Sequence, residues 1–384
     1  MNRRETAYQV LKAFQLFYKS ERAIKSSKKE KCDILKRSLE KGEINQLDFD
    51  KYKEIFQEYD NVQSYDIINE IFQNLDLLIK SKRIQTKGTG AEVKEIPLWG
   101  LLEMQCFSAQ IMIPNADSEE IILISEGVPQ FAYFLNKVIV QTFSIKENGE
   151  EFSFKVDSKQ IISNIKFNKI IVARFIDLAT SYLLENHTNH VRSYLLSGTP
   201  LNIAMYFSDI FTTFVIAHEY SHHILGHLNN SDVKNIYSIK NIDIKQIYNS
   251  WDDELNADIN AVVLTISIMQ MKGIDKTMTL FGILIVLNSF SLFEMTKNLN
   301  IQEQQVIKYS STHPPAKIRK DTIIDYFVTD GSPQAELLKH MDNVLSYLFD
   351  QLNGFLEELK KEYDNVLEIP LSTIQDLIYN KFEN

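Results

Sequence analysis

Residues 211–227 read FTTFVIAHEYSHHILGH, and four of the eight histidines of the chain fall within the last ten of these positions. From Asp209 to Leu225 the sequence contains neither glycine nor proline, a pattern that predicts one continuous helix. Ser208 or Asp209 is the candidate N-cap, and Gly226 stands just past the predicted end. The other motifs of the chain are interpreted around this helix.

The helix carries a spacing that is typical of a zinc site. His218 and His222 are four residues apart and lie on one face, which they share with Phe214 and Val215. Two neutral imidazoles on a buried helical face are the ligands that a tetrahedral zinc site takes from a helix. Glu219 is turned about 100° from His218, so it cannot easily bind the same ion. It can reach a water in an open coordination position, which predicts a general base.

A second motif follows at the start of a helix predicted to run to about Lys272. The helix dipole favours acidic residues in a first turn, and this capping role accounts for Asp252 and Asp253. Glu254 and Asp258 are four residues apart on the half-buried side, where a carboxylate needs a partner. A zinc ion for Glu254 and the N–H of a ligand imidazole for Asp258 would supply both partners.

A third motif is Thr312-His313-Pro314-Pro315, with Arg319 one turn inside the helix that follows. The two prolines restrict the backbone and hold His313 in one orientation just before that helix. Alone, these residues would be a loop histidine and a surface arginine.

In this order, the three motifs resemble those of the gluzincin metallopeptidases. The likeness is closer to the Lit-type phage-exclusion proteases and more distant to the HtpX and CAAX-prenyl proteases, and it covers roughly residues 105–330. HtpX-type enzymes carry membrane spans, which we do not find in this chain, and residues 1–90 have no counterpart in the Lit-type proteases.

The resemblance implies an α+β, predominantly helical fold, in which a zincin-like core combines a small antiparallel sheet with a His-Glu-x-x-His active-site helix. It implies Zn²⁺ as the cofactor. The implied roles are zinc ligand for His218, His222 and Glu254, general base for Glu219, partner of a ligand for Asp258, and substrate or oxyanion contact for His313 and Arg319.

Other ligand schemes fail on geometry. A metzincin needs a third histidine six residues after the second, and position 228 is leucine. His223 and His227 form their own four-spaced pair, but they lie roughly 140° and 180° from His218 on the helix. We therefore predict that His223 and His227 are surface or substrate-side residues.

The chain divides into three predicted parts, which are an N-terminal helical region (1–90), a zincin-like metallopeptidase domain (91–330) and a C-terminal helical region (331–384). In the middle part, Ala109–Ile113 and Glu120–Ile124 are predicted to be strands joined by a turn-rich segment. We predict Glu120–Ile124 as the edge strand that pairs with an extended peptide substrate.

Two apolar segments need interpretation. Residues 338–359 carry apolar side chains at alternating spacings of three and four, which predicts a long amphipathic helix. Its stripe either packs on the body of the protein or pairs with a second copy of the chain. Met278–Phe293 is nearly all apolar, but its length of about 16 residues falls short of the ~20 that cross a bilayer. We predict a buried core helix there rather than a membrane span.

Composition excludes some function classes. A net charge of −10 and a pI near 5.4 argue against nucleic-acid binding, which needs a basic surface. The only two cysteines, Cys32 and Cys106, exclude a disulfide scaffold and a cysteine-based zinc finger. The first residues show no secretory signal, so we expect a cytoplasmic protein.

The expected function is that of an intracellular zinc metalloendopeptidase that hydrolyses a protein or peptide, and by analogy with the Lit-type proteases one that acts in phage defence. Two alternatives stay open. A cleft too short for extended chain would favour a zinc hydrolase of a non-protein amide. Absence of bound metal would favour a non-catalytic helical interaction protein.

Overall fold

The computed structural model describes residues 3–19, 62–81, 96–113, 119–148, 151–155, 157–229, 232–239, 242–248, 250–298, 313–329, 331–363 and 366–383, with residues 36, 39, 40 and 46. Cys32, Thr312 and about half of the predicted N-terminal region lie outside this set. Over the described residues the protein is predominantly helical with a small mixed sheet, which confirms the predominantly helical part of the predicted fold.

Eleven α-helices are described. They are α1 (Arg3–Lys19), α2 (Val62–Lys80), α3 (Gly127–Val140), α4 (Ser158–Phe167), α5 (Ile170–Glu185), α6 (Gly198–Leu225), α7 (Trp251–Met271), α8 (Lys276–Asn298), α9 (Ala316–Phe327), α10 (Pro333–Glu362) and α11 (Leu371–Glu383). Short 3-10 turns lie at His227–Asn229 and Val366–Glu368. The described strands are β1 (Leu98–Leu102), β2 (Ala109–Met112), β3 (Ile121–Ser125), β4 (Ser144–Asn148), β5 (Glu151–Lys155), β6 (Asp232–Ile239) and β7 (Ile242–Tyr248).

The sheet beside α6 has the strand order β1-β3-β2 and is mixed, so the predicted antiparallel sheet is wrong in one pairing. β2 pairs antiparallel with β3, with Ala109 opposite Ile124, whereas β1 pairs parallel with β3, with Leu98 opposite Ile121. All five residues of β3 are buried, because a strand with a neighbour on each side is covered by the core. The prediction of Glu120–Ile124 as an edge strand is therefore also wrong. Within the described residues, β2 is an edge of this sheet.

Helix α6 begins at Gly198, with Ser197 as its N-cap, and not at the predicted N-cap, Ser208 or Asp209. The Ser208 hydroxyl donates instead to the carbonyl of Ala204 at 2.6 Å, within the helix. The predicted C-terminus is confirmed, because Gly226 has φ 70° and ends the helix in the left-handed conformation that glycine adopts without strain.

Helix α6 is the central helix of the protein. Apolar residues occupy nearly its whole circumference, and it packs against α3, α7, α8 and β2. The approach of α8 is close at Gly282, where a Cβ would lie 2.7 Å from Cγ2 of Ile210 on α6. The position of the histidines on α6 is therefore set by contacts on every side of the helix.

Helix α8 extends the predicted segment Met278–Phe293 at both ends. Two described helices, α6 and Lys276–Met295 within α8, are long and apolar enough to cross a membrane, and 67% of the apolar window of each is buried inside the protein. Phe281 and Leu287 of α8 are fully buried in the main hydrophobic core. In this structure α8 is a core helix.

The amphipathic stripe of α10 is covered by the chain itself. Its seven apolar residues are buried against the body of the protein, where α10 packs on α4 and α5. They are Leu338, Met341, Leu345, Leu348, Leu352, Phe355 and Leu359. Of the two predicted packings, the structure shows the intramolecular one for these seven residues.

The first prediction compares two helical glycines. In Gly282→Ala the new methyl group overlaps Ile210, whereas in Gly354→Ala on α10 it meets nothing within 4 Å. Both variants gain the same helix propensity, so their difference isolates the overlap. We expect Gly282→Ala to unfold with about 1–3 kcal/mol less free energy than Gly354→Ala in urea titrations. Equal stabilities would show that α6 and α8 are not packed this closely.

The second prediction concerns Lys137, whose ammonium group is buried. It donates a hydrogen bond to the carbonyl of Tyr194 and lies 4.1 Å from the centroid of that ring. Burial, and secondarily the charge of Arg174, lowers the pKa of Lys137 to about 7 from its usual 10.5. Between these two values the unfolded chain binds the extra proton, so the free energy of unfolding rises with pH.

This contribution is measured by urea unfolding from pH 7 to pH 10 of the wild type and of Lys137→Met. We expect the wild type to gain stability relative to the variant as the pH rises, by at most about 1.4 kcal/mol per pH unit. Parallel pH profiles would contradict the buried, largely neutral lysine.

Candidate metal centre

The first two motifs meet in space. Nε2 of His218 lies 3.2 Å from Nε2 of His222 and 3.3 Å from Oε2 of Glu254, and Nε2 of His222 lies 3.5 Å from Oε1 of Glu254. Ligand atoms placed 2.0–2.1 Å from a tetrahedral metal ion are about 3.3–3.4 Å apart. The three side chains are buried, and one ligand atom from each lies within 4.8 Å of the others. This buried group can hold a metal ion.

The start of α7 sets the position of Glu254. Ser250 accepts a hydrogen bond from the Asp253 N–H at 3.1 Å, and Asp253 accepts one from the Ser250 N–H at 3.2 Å. This capping box fixes the first turn, which turns Glu254 inwards toward α6. Asp253 forms this capping box, and Asp252 also lies in the first turn, where the helix dipole favours an acidic residue.

The charges of the group suit a cation. Burial lowers the pKa of His222 to about 3, helped by the neighbouring charge of His218, so this imidazole is neutral. Burial would raise the pKa of Glu254, but His313 and His218 hold it well below its usual value. Burial opposes protonation of His218, yet Asp258 and Glu254 raise its pKa to about 10. Without a metal, one positive charge therefore sits between two buried carboxylates.

His218 is held from behind, as the sequence predicted. Its Nδ1 lies 2.9 Å from Oδ1 of Asp258. Asp258 in turn accepts two hydrogen bonds from Arg319, from Nε at 2.7 Å and from Nη2 at 2.6 Å. Burial alone would raise the pKa of Asp258, but Arg319 lowers it to about 2. Arg319 is buried, and its guanidinium group binds this carboxylate through both of these nitrogens.

His222 is held by a residue that the sequence placed elsewhere. Nδ1 of His222 lies 2.9 Å from Nδ1 of His227, and Nε2 of His227 lies 3.6 Å from Oδ1 of Asp253. The left-handed turn at Gly226 ends the helix and brings His227 back towards His222. Of the two predicted positions of His227, on the surface or on the substrate side, the surface position is wrong, because the angle along an ideal helix does not continue past its cap. Gly226, just before His227, is the feature of the sequence that indicates this turn.

Of the same two predicted positions, the surface one is also wrong for His223. His223 is 6% exposed, and its Nδ1 contacts the Glu120 carboxylate at the start of β3. Glu120, just before the buried strand β3, thus pairs with His223, which follows the candidate ligand His222 in the sequence. No local pattern in the sequence indicates this pair, because its members are 103 positions apart.

Glu219 lies on the wall of the same site without joining the three ligands. Its Oε2 accepts a hydrogen bond of 2.7 Å from the N–H of Ile111 on β2. Burial raises the pKa of Glu219, partly opposed by the charge of His218. A carboxylate with a raised pKa beside a metal group is suited to accept and return a proton.

His313 lies at the open side of the group. Its Nδ1 lies 2.5 Å from Oε2 of Glu254, while 39% of its side-chain surface is exposed. The next turn is fixed by Glu294 on α8, which accepts the N–H of Ala316 at 2.7 Å. The structure thus brings the third motif to the first two.

A cleft opens onto this group. It encloses about 710 Å³ of space between the atoms, a volume that includes open solvent. His218, Glu219, His313 and Arg319 contribute its polar lining together with Glu294, and phenylalanines of α6, α8 and the segment before β2 contribute most of the apolar lining. Of the three side chains that could hold a metal ion, His218 lines this cleft.

Comparisons with known proteins add nothing to these observations, since no family model, no curated protein and no solved structure matches the chain. The fold and the site therefore define a class by themselves: a mainly helical protein with a buried His-His-Glu group that can hold a metal ion beside an open cleft.

The third prediction tests the support of His222. His227→Ala removes the partner of a ligand imidazole and leaves the three ligands in place, so we expect the affinity for Zn²⁺ to fall about 10–100-fold. Competition with a chromophoric chelator measures this change. His340→Ala is the matched control, because His340 contacts Ser158 on α4. Unchanged affinity in His227→Ala would show that the contact with His222 does not orient the ligand.

Proposed function

We propose that this protein is a zinc metallopeptidase. One observation carries the proposal: His218, His222 and Glu254 form a buried group that could hold a metal ion, and Glu219, which is not part of that group, lines the same cleft as His218. A structural metal site is closed by protein ligands, whereas a catalytic site keeps a position open and a base nearby. Here the ligands would come from His218, His222 and Glu254, and the cleft reaches His218.

Zinc suits this ligand set best. Once His218 has given up its proton, two imidazoles and one carboxylate are ligands that zinc accepts, while Mg²⁺ and Ca²⁺ prefer oxygen ligands throughout. When bound, zinc would supply Lewis-acid activation of a water and of the substrate carbonyl. His218 and His222 would each bind through Nε2, the atom that faces the group, and each would keep Nδ1 for its partner behind.

Glu219 is the proposed proton carrier. Its carboxylate accepts a proton from the attacking water as the oxygen bonds to the carbonyl carbon. It then returns that proton to the departing nitrogen as the C–N bond breaks. Burial raises the pKa of Glu219, which makes its carboxylate a better proton acceptor.

An extended peptide is the proposed substrate, and β2 is the proposed docking strand. β2 is a sheet edge within the described residues, and the outward N–H of Ile111 points to Glu219. Backbone groups of such an edge can pair with a substrate chain whatever its side chains, which places a peptide bond next to the base. This proposal replaces the edge strand predicted at Glu120–Ile124.

The roles of the last two predicted residues now differ from each other. His313 lies at the exposed side of Glu254, so we keep it as the residue that contacts the substrate or the developing oxyanion. Arg319 lines the cleft, but its fork binds Asp258, so we propose that it positions His218 through that carboxylate. A role in phage defence belongs to the proposal only through the Lit-type resemblance.

The fourth prediction separates base from ligand. Glu219→Gln keeps the shape of the side chain, so zinc content and folding should survive while turnover falls by at least ~10²-fold. Glu254→Ala removes a ligand, so zinc affinity and turnover should fall together. Glu357→Gln on the exposed side of α10 is the matched control and should change neither.

Substrates are found by comparing protein termini in cells that express the wild type or Glu219→Gln, and turnover is then measured on the substrate found. New termini with the wild type alone support a peptidase. If Glu219→Gln lost zinc and Glu254→Ala kept it, the two carboxylates would have exchanged roles. If wild type and Glu219→Gln gave the same termini and the same hydrolysis, the peptidase proposal would be wrong.

A further inference from the structure

A second group of metal-binding side chains lies at the C-terminal end of α5. Nδ1 of His190 is 2.7 Å and Nε2 of His187 is 3.3 Å from the same oxygen, Oε2 of Glu185. One ligand atom from each residue lies within 4.8 Å of the others. We propose that Glu185, His187 and His190 form a second metal site, which takes a divalent transition-metal ion. The proposal is independent of the peptidase function.

The chain is bent into this arrangement before any ion binds. Asn186, the C-cap of α5, has φ 57°, a left-handed conformation that asparagine tolerates better than most residues. Its N–H donates to the carbonyl of Tyr182 at 2.8 Å. A turn then follows, in which the Val191 N–H donates to the carbonyl of Thr188 at 3.2 Å. The two reversals return both imidazoles to the carboxylate that ends the helix.

Asp177, a buried carboxylate, anchors the segment that follows His190. Asp177 is fully buried in α5 and accepts hydrogen bonds from the Arg192 N–H at 2.9 Å and from Nε2 of Gln375 on α11 at 2.7 Å. Nε2 of Gln375 also donates to the backbone carbonyl of His190 at 2.6 Å. Because the backbone is already anchored, an ion need order only side chains, which lowers the entropic cost of binding.

His187 has the properties of a ligand. Its ring is half-buried, and Nε2 is the atom that faces the Glu185 carboxylate. The 3.3 Å between Nε2 and the Glu185 carboxylate already equals the ~3.3–3.4 Å expected between two zinc ligands.

The donor set defines the class of ion. Two imidazoles and one carboxylate suit Zn²⁺, Ni²⁺ or Cu²⁺, whereas Ca²⁺ needs six to eight oxygens and Mg²⁺ keeps an octahedral oxygen shell. His190 must move so that its 2.7 Å contact with Glu185 widens to about 3.3 Å. Its side chain is 59% exposed and can turn freely. The exposed third ligand also makes this site weaker and faster to exchange than the buried one.

The experiment isolates the site by removing the buried one. Zn²⁺ is titrated against a chromophoric chelator into full-length His218→Ala/His222→Ala, which should retain one binding site per chain. Adding His187→Asn/His190→Asn should abolish it, while adding His340→Asn, the matched control, should not. Zn²⁺ should also raise the melting temperature of the first protein and leave that of the quadruple variant unchanged, because the ion stabilises only the folded state that binds it.

Two further measurements keep the test decisive. Glu185→Gln, which retains the shape of the side chain, should weaken this binding by at least ~10-fold. If His218→Ala/His222→Ala does not fold, the wild type should bind two Zn²⁺ and His187→Asn/His190→Asn only one. Equal Zn²⁺ binding with and without His187 and His190 would overturn the second site. If Zn²⁺ bound only at Glu185, His187 and His190, and not at the buried group, the peptidase proposal would be wrong and the proposal of the second site would be supported.

Discussion

The structure depends on the burial of two carboxylates, Glu254 and Asp258, one turn apart on α7. A buried carboxylate without a partner is strongly destabilising, and the loss of one member of a buried ion pair costs about 3–5 kcal/mol. Asp258 is satisfied by the fork of Arg319 and by His218. Glu254 is satisfied by His218 and His222 of α6 and by His313 in the loop before α9.

The need of these carboxylates for partners ties four helices together. α6 supplies the imidazoles, α7 the carboxylates, α9 the arginine, and α8 anchors the start of α9 through Glu294. Each bond satisfies a group that would be costly to bury alone, so the helices cannot shift independently. The same network leaves one side open, where β2 and the cleft meet Glu219. The proposed chemistry lies where this network borders the cleft.

Rigidity and access are divided between the two sides of the ligand group. On the side away from the ligand atoms, Nδ1 of His218 contacts Asp258 and Nδ1 of His222 contacts His227. All four side chains are largely or wholly buried. In front of them, His313 is the more exposed side chain. A metal held in this way would keep its position while a substrate approached only from the cleft, which is how proteins fix a ligand set and still leave a coordination position open.

The sequence by itself determined the helices of the metal group and the residues that meet there. The four-residue spacing of His218 and His222, and of Glu254 and Asp258, is a local property of a helix and needs no knowledge of the fold. The tertiary structure decided what local periodicity cannot describe. In it β3 is the central strand, Arg319 binds Asp258, and His227 contacts His222. These features depend on contacts between distant segments or on a chain reversal, and no helical angle or strand pattern encodes them.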